Sequence, residues 1–258
     1  MSEGKVHYEK DGRIARVTFD QQPALNALNM EMWGQLGEIS RSVATDSSVR
    51  CVIFRGAGGK AFISGTDITG FLSFESGRDG VAYEAKMDEY IGTVEAIPQP
   101  TLAVVEGWAV GGGVAISCAC DFRIATPDAK FGSPLGRTIG NCLSGRGYAR
   151  LVGHVGIAQA KRMLLAGEMI TAPEMMNLGL LYSVVEREEL DAAVDAFADK
   201  LASQAPLTVK ASKEAMRRLN YRAMPDIEDL IEQVYGSNDF RTAVRNFKEK
   251  KKTEWTGA

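Results

Sequence analysis

Several things are scarce in this 258-residue chain. Two histidines, His7 and His154, stand far apart, so a histidine triad or a histidine metal site would have to rest on one of them. The four cysteines, Cys51, Cys118, Cys120 and Cys142, have neither C-x-x-C nor metal-ligand spacing, so reduced, buried thiols and no metal are expected. Charge of either sign is nearly balanced, with 30 Lys and Arg against 33 Asp and Glu, and a net −3 argues against nucleic acid as a partner. No uninterrupted apolar run reaches the ~18 residues of a membrane span, and Met1 to His7 has no apolar leader core. No membrane association is expected, and a cytoplasmic location follows. What is plentiful is apolar residues, 45% of the chain, enough for one large core with an appendage.

The chain is also rich in glycine, and the glycines cluster. The extended apolar run Thr101-Leu-Ala-Val-Val105 leads through Glu106-Gly-Trp-Ala-Val-Gly-Gly-Gly113 into an almost wholly apolar helix ending near Asp121. Three adjacent glycines are costly in backbone entropy, so something there needs unusual dihedrals or close approach of bare backbone. One reading is an oxyanion site, because the first N–H groups of a helix lack intrahelical acceptors and carry the positive end of its dipole. The other is a corner where helix and strand pack too tightly for a Cβ. The spacing fits neither the dinucleotide fingerprint nor a phosphate P-loop.

Taken in order, Val6–Lys10 and Arg13–Phe19 flank Asp11-Gly12 as a hairpin. Asn29 is placed to cap a helix carrying Met32, Leu36, Ile39 and Val43 on one face. Residues 51–55 read as a buried strand, and 61–64 as a second extended piece ending in Ser64-Gly65-Thr66. Two glycine turns at strand ends can converge on one pocket or be independent loops. A helix over about 75–97 carries Tyr83, Met87, Tyr90, Ile91 and Val94 and stops at Pro98-Gln-Pro100. Residues 122–125 form another strand, and 135–145 an irregular polar loop. Beyond about 188 four amphipathic helices are expected, with a sub-domain boundary near 190–205. The basic cluster Lys248, Lys250, Lys251 and Lys252 reads as a solvated face or an anion contact.

Two motifs at their separation carry a resemblance. Lys60-Ala-Phe-Ile-Ser-Gly-Thr-Asp-Ile68 and Val105-Glu-Gly-Trp-Ala-Val-Gly-Gly-Gly113, followed by Cys120-Asp-Phe-Arg-Ile-Ala125, resemble the crotonase (enoyl-CoA hydratase/isomerase) superfamily. Further similarity runs from Asn26-Ala-Leu-Asn29 to Phe247-Lys-Glu-Lys250. The resemblance implies an α/β fold, a spiral of β-β-α units over 1–195, with a C-terminal helical, oligomerising region over 196–258. It also implies self-association into a homotrimer or dimer of trimers, and acyl-CoA thioesters as substrates with coenzyme A bound only as part of the thioester and no prosthetic group. Carried over position by position, the oxyanion donors are the backbone N–H groups of Thr66 and Gly112. Coenzyme A contacts fall on Ala24, Leu25, Asp67, Ile68 and Thr69, and from a neighbouring subunit on Phe247 and Lys250. Asp67 reads better as a local turn former.

The chain departs from the resemblance at the proton-transfer positions. Hydratases of that family use two glutamates, and the matching positions here are Ala115 and Leu135. Substitutes are available in Arg137, Asn141, Cys142, Ser144 and Arg146, or in Glu84, Asp88 and Glu89 on the helix before the central strand. Hydratase or isomerase chemistry with another proton carrier is therefore expected. Base-free decarboxylation or a non-catalytic acyl-CoA-binding subunit are the alternatives.

Overall fold

The computed structural model describes residues 4–257. The hairpin comes first, as β1 (Lys5–Asp11) and β2 (Ile14–Asp20), paired antiparallel through the turn at Gly12. α1 (Met30–Thr45) follows, and Asn29 caps it by accepting the Met32 N–H at 2.8 Å. Then come three turns of one repeating unit: β3 (Cys51–Gly56), β4 (Ala61–Ile63) and α2 (Gly77–Glu95); β5 (Thr101–Val105), β6 (Trp108–Val110) and α3 (Gly112–Ala119); β7 (Phe122–Ala125), β8 (Lys130–Gly132) and α4 (Gly145–Leu164). The first strand of each unit joins a sheet ordered β1-β2-β3-β5-β7-β10, and the second joins one ordered β4-β6-β8-β9. β9 (Ile170–Thr171), α5 (Ala172–Asn177) and β10 (Ser183–Val184) close the spiral. The successive units pair in parallel. This is the β-β-α spiral, and no helix among the described residues is long and apolar enough to cross a membrane.

The centre of the larger sheet is buried on both faces, which is why β3 and β5 are continuous apolar runs, whereas the edge strand β1 is largely exposed. One face packs with α1 to α4 into the main core, around Phe19, Trp33, Phe54, Phe62 and Phe131. The other is covered by α6 (Leu190–Ala202) through Leu190, Val194, Phe197 and Leu201. α7 (Pro206–Asn220), α8 (Glu228–Tyr235) and α9 (Asn238–Lys248) complete the chain, giving the four C-terminal helices expected.

The helical tail does not merely trail away. A third core joins Phe71 to Ile231, Tyr235, Phe240 and Val244 of α8 and α9. α8 lies against α2, and the reason is two glycines. A Cβ at Gly77 would overlap the Glu232 carbonyl, and one at Gly80 would overlap the Tyr235 ring. That close approach places the Tyr235 hydroxyl beside Glu84, on the same face of α2 one turn beyond Gly80.

Candidate active site

A cavity of about 200 Å³ lies between the two glycine turns, α2, the 135–144 loop and the start of α4. The three central glycines serve three different ends. Gly111 sits at φ +52°, the left-handed region that glycine tolerates, and turns the chain into α3. Gly113 is the packing corner, since a Cβ there would overlap the Ile63 carbonyl oxygen. Gly112 lines the cavity, where an added Cβ would stand 3.0 Å from the Trp33 ring and 3.2 Å from Thr66 Oγ1. The packing corner is thus found at Gly113, while Gly112 borders the cavity.

The second turn is held by its neighbours. Asn26, fully buried, donates to the carbonyls of Ala57 and Ala61 at 2.9 Å and accepts the Gln21 N–H, so it fixes the 21–29 loop against β4. Leu28 N donates to Gly65 O and Asp67 N donates to Leu28 O, a parallel bridge that spans Thr66. The bridge uses the groups on either side of the Thr66 N–H and leaves that N–H free. Among the described residues neither Thr66 N nor Gly112 N has a protein acceptor. Two backbone donors without protein acceptors, on turns that line one cavity, can stabilise a developing oxyanion if they point into it.

The remaining predicted site residues are placed as follows. Ser64 Oγ donates to Ala24 O and Ser64 N to Leu25 O, so Ala24 and Leu25 run beside the Thr66 turn, Leu25 being partly exposed at φ +51°. Asp67 caps a short 3-10 turn by accepting the N–H and hydroxyl of Thr69 at 2.9 and 2.6 Å, the turn-forming role anticipated for it. Ile68 lines the cavity. Phe247, expected from a neighbouring subunit, lines the cavity within its own chain, whereas Lys250 is exposed just beyond α9. Ala115 and Leu135 both line the cavity and bring no ionisable group to it. Cys142 is buried and burial pushes its thiol up to about 12, which removes it as a thiolate nucleophile at neutral pH.

The carboxyl groups come from α2. Glu84 and Asp88, one turn apart, line the cavity, while Glu89 is exposed against Arg41. Glu84 is 6% exposed, and burial raises its carboxyl from 4.5 to about 7. The Tyr235 hydroxyl at 2.5 Å and the Ser144 N–H at 2.8 Å pull the other way without cancelling the desolvation. Burial also raises Asp88, opposed by the Ser144 side chain and the charges of Arg150 and Arg146. Arg150, 1% exposed on the cavity wall, is paired with Glu95 at 2.6 Å. Sequence reasoning named Glu84 among several candidates and missed Tyr235 and Trp33. The only sequence signal for Tyr235 is Gly77-x-x-Gly80 on the face of α2 that carries Glu84, a mark of a closely packed neighbour.

Residues 9–258 match the enoyl-CoA hydratase/isomerase family. The short-chain-enoyl-CoA hydratase of Clostridium acetobutylicum is 33% identical over 261 residues, covering 98% of each chain. A solved enoyl-CoA hydratase/carnithine racemase from Magnetospirillum magneticum superposes with a TM-score of 0.80 at 33% identity, over 100% of this chain and 97% of the other. Methylmalonyl-CoA decarboxylase in complex with 2-nitronate-propionyl-CoA superposes with a TM-score of 0.90 at 26% identity, over 98% and 99%. The chain belongs to the enoyl-CoA hydratase/isomerase family and has the crotonase fold.

Proposed function

We propose that this protein is an acyl-CoA enzyme of the hydratase/isomerase type, working through a thioester enolate held by the Thr66 and Gly112 N–H groups. The observation that carries the reading is the pair of unpartnered backbone donors on adjoining turns at one cavity wall. Charge that moves onto the thioester oxygen meets both donors in a largely apolar enclosure, where hydrogen bonds are stronger than in water. The mostly apolar lining, with Trp33, Met87, Ile91 and Leu151, suits an acyl chain, and Ala24, Leu25, Asp67, Ile68, Thr69, Phe247 and Lys250 are the proposed coenzyme A contacts. Self-association as a trimer or pair of trimers is part of the same reading. It is supported by α7, which has no buried residue and exposes Leu207, Met216 and Leu219.

A second reading is decarboxylation of a 2-carboxyacyl thioester. It is favoured by the superposition on methylmalonyl-CoA decarboxylase and by the absence of ionisable side chains at Ala115 and Leu135. The C–C bond to the carboxylate breaks, carbon dioxide leaves, and the electron pair passes to the thioester oxygen, so the same donors serve.

Replacing Gly112 by proline, which the first position of a helix tolerates, deletes one donor. Turnover of an enoyl-CoA or 2-carboxyacyl-CoA substrate is expected to fall by roughly 10²–10³ in a protein whose circular dichroism is unchanged. Undiminished turnover in that folded variant contradicts both readings.

A further inference from the structure

The ionisable side chains on the cavity wall are Tyr83, Glu84, Asp88, Cys118 and Arg150, and they are not equivalent. Burial raises the phenol of Tyr83 and the thiol of Cys118 above their ordinary values. Arg150 is committed to Glu95. Asp88 lies in the field of two cations, Arg150 and Arg146. Among the described residues Glu84 has no cationic partner. The groups that face it are Tyr235 from α8, the Ser144 N–H at the start of α4, Asp88 and Tyr83 from α2 itself, Cys142 from the loop and Tyr148 from α4. All but Asp88 are neutral at pH 7. A buried carboxyl held only by neutral donors is free to change protonation state without breaking an ion pair. Its neighbour in sequence, Tyr83, lines the same cavity as Thr66 and Gly112, so this part of α2 faces the space that both glycine turns border.

Resting on the enolate reading above, we infer that Glu84 is the catalytic residue that exchanges a proton with the α-carbon of the acyl thioester, and that Tyr235 and Ser144 are its positioning residues. The ionised carboxylate takes the proton from C2. The C–H bonding pair becomes the C1–C2 double bond, and the carbonyl π pair moves onto the oxygen facing Thr66 N and Gly112 N. Return of the proton to C2 restores the substrate, which is exchange. With a 3-enoyl thioester, return to C4 moves the double bond to C2–C3, with no other reactant consumed. For a 2-carboxyacyl thioester the protonated carboxyl delivers its proton to C2 after carbon dioxide leaves, and solvent restores it. Burial places the carboxyl near 7, so both forms are populated at neutral pH, the condition under which one group serves as base and then as acid.

The test is exchange of the C2 hydrogens of butyryl-CoA in deuterated water, followed by NMR, with binding of butyryl-CoA measured by calorimetry. The wild-type protein is expected to exchange them at a rate that rises with pH through a midpoint near 7. Glu84→Gln, isosteric and still able to accept from Ser144, is expected to lower exchange by about 10²–10⁴ while binding changes only a few fold. Glu84→Asp retains more exchange than Glu84→Gln. Exchange at the wild-type rate in a folded Glu84→Gln protein overturns the inference, as does loss in Asp88→Asn with retention in Glu84→Gln. So does a wild-type protein that binds butyryl-CoA without exchanging it. Retention in Glu84→Gln together with loss in Gly112→Pro rejects Glu84 and leaves the oxyanion reading standing, whereas equal exchange in Gly112→Pro rejects that reading.

Discussion

Two buried glutamates in this molecule are handled in opposite ways. Glu106, 3% exposed at the end of β5, meets two guanidinium groups, Arg55 at 2.7 Å and Arg187 at 2.6 Å, and Arg187 also donates to the Gly59 carbonyl. Its charge is compensated and tied to three parts of the chain. Glu84, equally buried, meets a phenol and a backbone N–H. Where the partners are neutral, desolvation decides, and the Glu84 proton becomes mobile near neutrality. The first arrangement secures the β3–β5 end of the sheet, and the second places a titratable carboxyl on the cavity wall.

The contrast can be broken at several points, in descending order of effect. The folded-state carboxyl of Glu84 lies above its ordinary value, so its contribution to stability is fully present below pH 4.5 and is lost as pH rises through about 7. Chemical denaturation of wild type and Glu84→Gln at pH 4.5 and pH 8 should therefore show the wild type losing on the order of 3 kcal/mol relative to the variant. Glu106→Gln removes the anion from between two arginines that are themselves part-exposed and can turn to solvent. A loss of about 2 kcal/mol is expected by the same measurement, smaller than for a fully buried pair, with turnover per folded molecule within a few fold of wild type. Tyr235→Phe takes away a donor to the ionised form of Glu84. The midpoint of the pH–exchange profile should move upward by about one pH unit, a result that a purely structural role for Tyr235 would not give.

The sequence made some of this architecture legible because local chemistry determined it. Asp11-Gly12 specified the hairpin, Asn29 capped α1, and the Ser64-Gly65-Thr66 and Gly111–Gly113 turns marked two walls of the cavity. Backbone donors at turns are encoded by the residues that make the turns. The assignment of alternate strands to two sheets was not visible, since β4, β6 and β8 are three residues each and carry little pattern of their own. Side-chain partnerships were harder still. Glu84 and Tyr235 are 151 residues apart, and only a pair of glycines on α2 hints at the helix that packs there. Nor could spacing alone separate Glu84 from Asp88 and Glu89. Burial and the position of two arginines do that.

The most direct test of the enolate account is a crystal structure with a non-cleavable butyryl-CoA analogue. The account predicts the oxygen at the thioester carbonyl position about 2.7–3.1 Å from both Thr66 N and Gly112 N, with a Glu84 carboxyl oxygen within about 3.2 Å, or one water, of the α-carbon. An acyl group seated in the cavity with that oxygen bonded to neither N–H contradicts it.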